Sequence, residues 1–175
     1  MRSKSTSKCE AVQAVHDSIL TMKTISALLL AATLVVSGCA SVEMASQNSS
    51  SKSKEFHAPS QGTAGVYIYR DSVMGKMLKK DIWINGKCLG ESGPDVFFYT
   101  EVEGGRKYKI ETESEFSPNA MTLTAEPGQK YFIRQYTKVG LLVEGANLER
   151  VSEARGKAAI AKLKMAKTGT CSGPR

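Results

Sequence analysis

The sequence predicts a mainly β domain, an antiparallel β-sandwich closed by a single C-terminal helix. Three observations carry this expectation. Roughly seven short runs rich in Val, Ile, Tyr, Phe and Thr recur from residue 66 to residue 144, separated by turn residues. Arg106 to Glu115 alternates: Tyr108, Ile110, Thr112 and Ser114 face one way, and Lys107, Lys109, Glu111, Glu113 and Glu115 face the other. That is the pattern of a half-buried antiparallel strand with a solvated side. From Val151 to Ala166 the apolar period changes to the helical one, with Ala154, Ala158, Ala161 and Met165 on one face.

Taken in order, Val66–Arg70 is the first strand, and Asp71 to Lys80 is a loop carrying Met74 and Met77. Asp81–Ile84 pairs with Lys87–Gly90 across Asn85-Gly86, a dipeptide suited to a two-residue hairpin because both positions take positive φ. Val96–Val102 leads through Gly104-Gly105 into the alternating strand. Met121–Ala125 is closed by Glu126-Pro127-Gly128-Gln129, with Pro and Gly where a type II turn wants them. Lys130–Thr137 is an aromatic-rich strand, and Leu141–Glu144 is a shorter one. Ser152 is placed to cap the closing helix, with Glu153 in its first turn and Lys162, Lys164 and Lys167 towards its end, as the helix dipole favours. Ile160 and Leu163 fall away from the alanine stripe, so this helix is either buried on two sides or meets a partner with its second side.

Residues upstream of the domain read differently. Lys23 is followed by a mostly apolar run from Ile25 to Val36, then by small residues before Cys39. This is the order of a secretory signal. The run is too short for a bilayer span, which needs roughly 20 apolar residues. Val36-Ser37-Gly38-Cys39 resembles the lipobox of bacterial lipoproteins, with Val36 where Leu is usual. The resemblance implies cleavage before Cys39, a diacylglycerol on its thiol and an acylated amine. Ala40 is not the aspartate of an inner-membrane retention signal, which implies outer-membrane sorting and a domain facing the periplasm. Residues 1–38 are therefore excluded from the fold, with 1–21 a mis-assigned extension or a long n-region. Residues 39–63, crowded with serine, are expected to be a lipidated N-terminus and flexible tether. The domain is expected over 64–167 and a tail over 168–175.

The strand and turn motifs resemble a known family. Val66-Tyr-Ile-Tyr-Arg70, Ile84-Asn-Gly-Lys87 with Gly90, Phe98, Gly105-Arg-Lys-Tyr-Lys-Ile110 and Glu126-Pro-Gly-Gln-Lys-Tyr-Phe132, followed by the closing helix, are similar to an uncharacterised bacterial lipoprotein family, domain of unknown function 2846. The likeness covers residues 64–165. Many members show Pro-Gly where this chain has Gly104-Gly105. The resemblance implies an immunoglobulin-like or PEGA-like β-domain and brings no catalytic residues.

Composition narrows the chemistry. A net charge of +7 suits an anionic lipid surface or acidic glycans as well as an ordinary soluble surface, and an exported protein rarely meets nucleic acid. Of four cysteines, Cys88 and Cys171 remain in the body beyond Cys39, and an oxidising compartment favours a disulfide between them. Past the signal the sole histidine is His57, in the expected tether, which removes Ser-His-Asp, Cys-His and His-ligated zinc arrangements. No metal or cofactor is expected. Met74-x-x-Met77 offers too few thioethers for Cu(I), with lysines close by. The leading expectation is a non-enzymatic, membrane-anchored envelope protein with a protein or glycan partner. Its candidate binding surface is Arg70, Arg134 and Tyr136, although a mid-strand arginine equally suits a solvated face. The alternative is an envelope glycan hydrolase using paired glutamates, Glu101 with Glu103 or the set from Glu111 to Glu115.

Overall fold

The computed structural model describes residues 42–71, 78–113, 119–138 and 145–173. The chain divides into two units, Met1–Cys39 and Ala40–Arg175, and every described strand belongs to the second. The signal-like stretch with Cys39, the Met74–Met77 pair, Ser114, Glu115 and the short strand expected at Leu141–Glu144 lie outside the described residues.

A short helix α1 (Gln47–Ser53) precedes eight consecutive strands: β1 (Thr63–Arg70), β2 (Lys80–Ile84), β3 (Lys87–Ser92), β4 (Val96–Glu103), β5 (Arg106–Thr112), β6 (Asn119–Ala125), β7 (Lys130–Lys138) and β8 (Gly145–Val151). Helix α2 (Glu153–Ile160) and a two-residue strand β9 (Lys164–Met165) follow. They build a five-stranded sheet, β8-β7-β1-β4-β9, and a four-stranded sheet, β3-β2-β5-β6. Their inner faces share one apolar core: Val66, Ile68, Phe98 and Ile133 from the first sheet meet Ile82, Ile110 and Leu123 from the second.

The turns form where glycine and asparagine permit them. Asn85 (φ 50°) and Gly86 (φ 74°) make the β2–β3 hairpin, Gly105 (φ 77°) the β4–β5 turn, and Gly128 (φ 76°) the turn after Pro127. The expectation of a purely antiparallel arrangement is corrected, because β1 runs parallel to β7 and β4 parallel to β9. Between β1 and β7 the chain crosses to the other sheet and returns more than once. It therefore re-enters beside β1 from the same end.

The closing helix is also shorter than its periodicity predicts. It ends at Ile160, and Lys164–Met165 pairs with β4 instead. Ser152 caps it as expected, accepting a hydrogen bond from the Arg155 N–H. Its buried side carries Gly156 and Ile160, while Ala154, Ala158 and Ala161 are exposed. Burying isoleucine removes far more apolar surface than burying alanine, about 1.5–3 kcal/mol for a full side chain, so Ile160 and Leu163 decide the orientation. They pack with Tyr67, Phe97 and Phe132 on the outer face of the five-stranded sheet. Gly156 permits this seat, since a Cβ there would lie 2.4 Å from the Phe132 ring.

Residues 42–62, expected to be a flexible tether, are instead ordered against the domain. The Ala45 N–H donates to the Met165 carbonyl and the Lys167 N–H to that of Glu43, so this segment pairs beside β9. Ser46 caps α1, and the Ser53 carbonyl accepts from the Tyr67 hydroxyl at 3.0 Å. Phe56 then packs against Tyr67 and Phe132, with ring centroids 5.4 and 6.0 Å away, and Pro59 is buried. Phe56 and Pro59 supply the apolar burial that the serines lack.

The tail from residue 168 is fastened to the smaller sheet. Cys88 and Cys171 form a disulfide. The Gly169 N–H donates to the Leu89 carbonyl, and the Ser172 N–H and hydroxyl both donate to the Asp81 carboxylate. Where the apolar core ends, Gln135 is fully buried and donates to Thr112 Oγ1 at 2.6 Å, while its carbonyl accepts from Ser92.

Candidate functional site

The open edge of β4 is a product of the topology. The two-residue strand β9 covers β4 only at Val96 and Phe97. The chain then leaves for β3, so among the described residues no strand pairs with the rest of that edge. The Asp95 and Phe97 carbonyls accept from Lys164 and Ala166 N–H groups, which places odd-numbered backbone groups on this side. By strand alternation Tyr99 and Glu101 turn their N–H and C=O outward, while Thr100 and Val102 aim their side chains between the sheets.

A groove of about 640 Å³ lies along this edge, between β4 and β3. Ile84, Leu89, Val102 and Tyr108 give it an apolar floor, and Asn85, Lys87, Thr100 and Glu101 give it polar rims. Thr168 and Gly169 of the tail close one end. Asn85 is held by the neighbouring strand β5: its side-chain oxygen accepts from the Lys109 N–H at 2.8 Å.

Glu101 is fixed by hydrogen bonds. It accepts from the Ser60 N–H at 3.0 Å, from the Thr63 hydroxyl at 2.8 Å and from the Tyr99 hydroxyl at 2.8 Å. Partial burial works against its charge, but the bonds from Thr63, Tyr99 and Ser60 outweigh that and hold its pKa down to about 2. Burial first, then the bond to Glu101, raises the Tyr99 phenol in turn. Burial, with the Glu101 charge close by, pushes Tyr67 up to about 12. A carboxyl so firmly ionised cannot serve as a general acid near neutral pH. Glu103 lies on the exposed side, 3.1 Å from Arg106.

The second glutamate set differs from expectation too. Lys107 and Lys109 are solvated, but Glu111 is only 3 % exposed, opposite Trp83 of β2 and 2.7 Å from the Lys109 ammonium. Trp83 and the neighbouring strands remove it from water. Strand alternation alone does not reveal such cover.

The expected arginine and tyrosine surface does not assemble. Arg70 is 2 % exposed and donates to the Leu78 carbonyl at 2.7 Å. Its phase was readable, since it follows Val66 and Ile68 at intervals of two along β1. Arg134 and Tyr136 lie on the opposite face of the same sheet, with the guanidinium 5.8 Å from the ring centroid. Arg134 is engaged by Asp71 at 2.6 Å and Glu149 at 3.3 Å, and the bond to Asp71 chiefly raises its pKa further. Tyr136 accepts from the Asn147 amide at 2.9 Å. His57 is exposed and paired with Glu55. Among the described residues no three His, Cys, Asp or Glu side chains gather as a metal site would require, and no helix is long and apolar enough to cross a membrane. The groove residues Leu89, Thr100, Val102 and Tyr108 were not distinguishable beforehand, because their place along a groove follows from which strands β4 lacks.

The comparisons agree with one another. Residues 60–146 match the family model described as "Protein of unknown function (DUF2846)". An uncharacterized protein of Haemophilus influenzae is 54% identical over 140 residues, covering 80% of this chain and 83% of that protein. No solved structure matches. The family model spans β1 to β7, with both hairpin turns, and the chain belongs to the DUF2846 family.

Proposed function

We propose that this protein is a lipid-anchored, non-enzymatic module of the bacterial cell envelope that binds an extended polypeptide segment along β4. The open edge beside the groove carries this reading. Such an edge offers a row of backbone donors and acceptors, and an added strand satisfies them while alternate side chains enter the adjoining groove. The apolar floor and polar rim suit that mode. Hydrolysis of glycans by paired glutamates finds less support, since Glu101 is held ionised and Glu111 is buried beside Lys109. The two-sheet architecture is in keeping with an immunoglobulin-like or PEGA-like sandwich.

The Cys88–Cys171 disulfide supports an oxidising compartment, and the Val36–Cys39 motif supports signal cleavage and acylation at Cys39. With Ala40 next to the cysteine, the expected location is the outer membrane, facing the periplasm. The test is a photo-crosslinking residue placed at Thr100 or Val102 in intact cells. A defined protein adduct is expected there and not from Lys107, which is exposed on the other sheet. Absence of any adduct from both groove positions refutes the edge-binding reading. Mass spectrometry of the membrane-derived chain tests the anchor: it is expected to begin at an acylated Cys39, and a chain retaining residues 1–38 refutes it.

A further inference from the structure

Resting on the lipid anchor proposed for Cys39, we infer that the surface around Met44, Lys54, Lys164 and Lys167 faces the membrane and receives anionic lipid headgroups. Val42 is the first described residue after Cys39, and its side chain packs against the main core. Only Ala40 and Ser41 separate it from Cys39. Three residue steps span at most roughly 10 Å at ~3.3–3.6 Å each. A lipid on Cys39 therefore holds Val42 within about one headgroup layer of the bilayer.

The surface found there has the chemistry of a lipid contact. Met44 is a large apolar side chain left 40% exposed. It borders a cleft of about 410 Å³ with Lys54, Lys164 and Met165. Lys167 adjoins it through its ion pair with Glu43, at 2.6 Å, and remains mostly solvated. The Lys54 ammonium donates to the Ala161 carbonyl at 3.2 Å, which fixes it in the wall of the cleft. An apolar side chain among ammonium groups fits the headgroup boundary, where the methionine meets acyl chains and the lysines meet phosphates. Each lysine beside an anionic surface is worth roughly fivefold in association.

The test uses the full acylated protein in vesicles of phosphatidylcholine, with or without phosphatidylglycerol, containing brominated acyl chains. A fluorophore is attached at Met44→Cys or, as a reference, at Lys107→Cys on the far sheet. Quenching is expected to be severalfold stronger at position 44 than at 107. It is expected to rise with phosphatidylglycerol, and K164E/K167E, both exposed positions, is expected to remove that rise. Equal quenching at 44 and 107 in a chain whose mass shows acylation overturns this inference and leaves the anchor standing. Quenching indifferent both to phosphatidylglycerol and to K164E/K167E overturns the headgroup assignment. A chain without acyl mass overturns the anchor, and this inference with it.

Discussion

Replacing Gly156 by alanine tests how α2 is seated. In an exposed helix this change stabilises by about 0.8–1.0 kcal/mol, because alanine has the higher helix propensity. Here the added Cβ would lie 2.4 Å from Phe132 Cδ1 and 2.5 Å from Phe132 Cβ and Cγ. Phe132 cannot retreat: it is 1 % exposed and stacked on Tyr67, with centroids 5.0 Å apart. The helix must lift, which loosens Ile160 and Leu163 from the same aromatic layer. Overpacking of this kind costs typically ~1–3 kcal/mol, and contacts to ring and backbone-proximal atoms place it near the upper end. The net expectation is a loss of about 1–2 kcal/mol, or a fall in Tm of roughly 3–8 °C for a domain of this size. Thermal and urea unfolding followed by circular dichroism, with the disulfide intact, measures it. Ala158→Gly on the exposed face is the control and should lose about 1 kcal/mol by propensity alone. If Gly156→Ala unfolds later than the parent chain, α2 does not rest on Phe132 and the packing argument is wrong.

Three further outcomes are expected. Cys88→Ser should lower stability by about 2–4 kcal/mol, because the disulfide closes a loop with a sequence separation of 83; an unchanged urea midpoint would show that the bond does not constrain the unfolded chain. Glu101 has a depressed folded pKa, so its contribution is fully present above the unfolded value of 4.5 and is lost as pH falls towards about 2. Stability of Glu101→Gln should therefore decline less steeply than that of the parent between those pH values, and parallel curves would contradict the three hydrogen bonds. Gln135→Leu should cost about 1–3 kcal/mol, because the Thr112 oxygen loses its donor in a dry interior while Thr112 and Ser92 still donate to the Asp81 and Lys80 carbonyls, and a neutral effect in chemical unfolding would show that water replaces the amide.

Local chemistry was legible wherever one residue type was required. Asn85-Gly86 and Pro127-Gly128 mark turns because few other residues accept their backbone angles. Strand alternation located the inward side of β5 at Ile110 and Thr112. What stayed hidden depended on distant partners. The parallel pairing of β1 with β7 has no local signature, since each strand reads the same whichever neighbour it takes. The segment from Val42 to Gly62 looked unstructured because serine dominates it, yet Ser46 acts as a cap and Phe56 as an anchor. Glu111 read as solvated because its cover comes from Trp83 and neighbouring strands. The site was least legible of all, because an unpaired edge is a property of the finished sheet.

The central position of β1 has a consequence for how the polypeptide reaches its native state. Its neighbours are β4 and β7, and Gly65 must find Lys130 before the middle of the larger sheet is complete. Such distant pairing is slow, because a long stretch must be brought into register before any ladder rewards it. A chain emerging N-terminus first therefore displays Val66-Tyr67-Ile68-Tyr69, a sticky segment, until its C-terminal half has arrived. Holdase chaperones would meet that segment first, and truncations ending before Lys130 should aggregate rather than persist as smaller folded bodies.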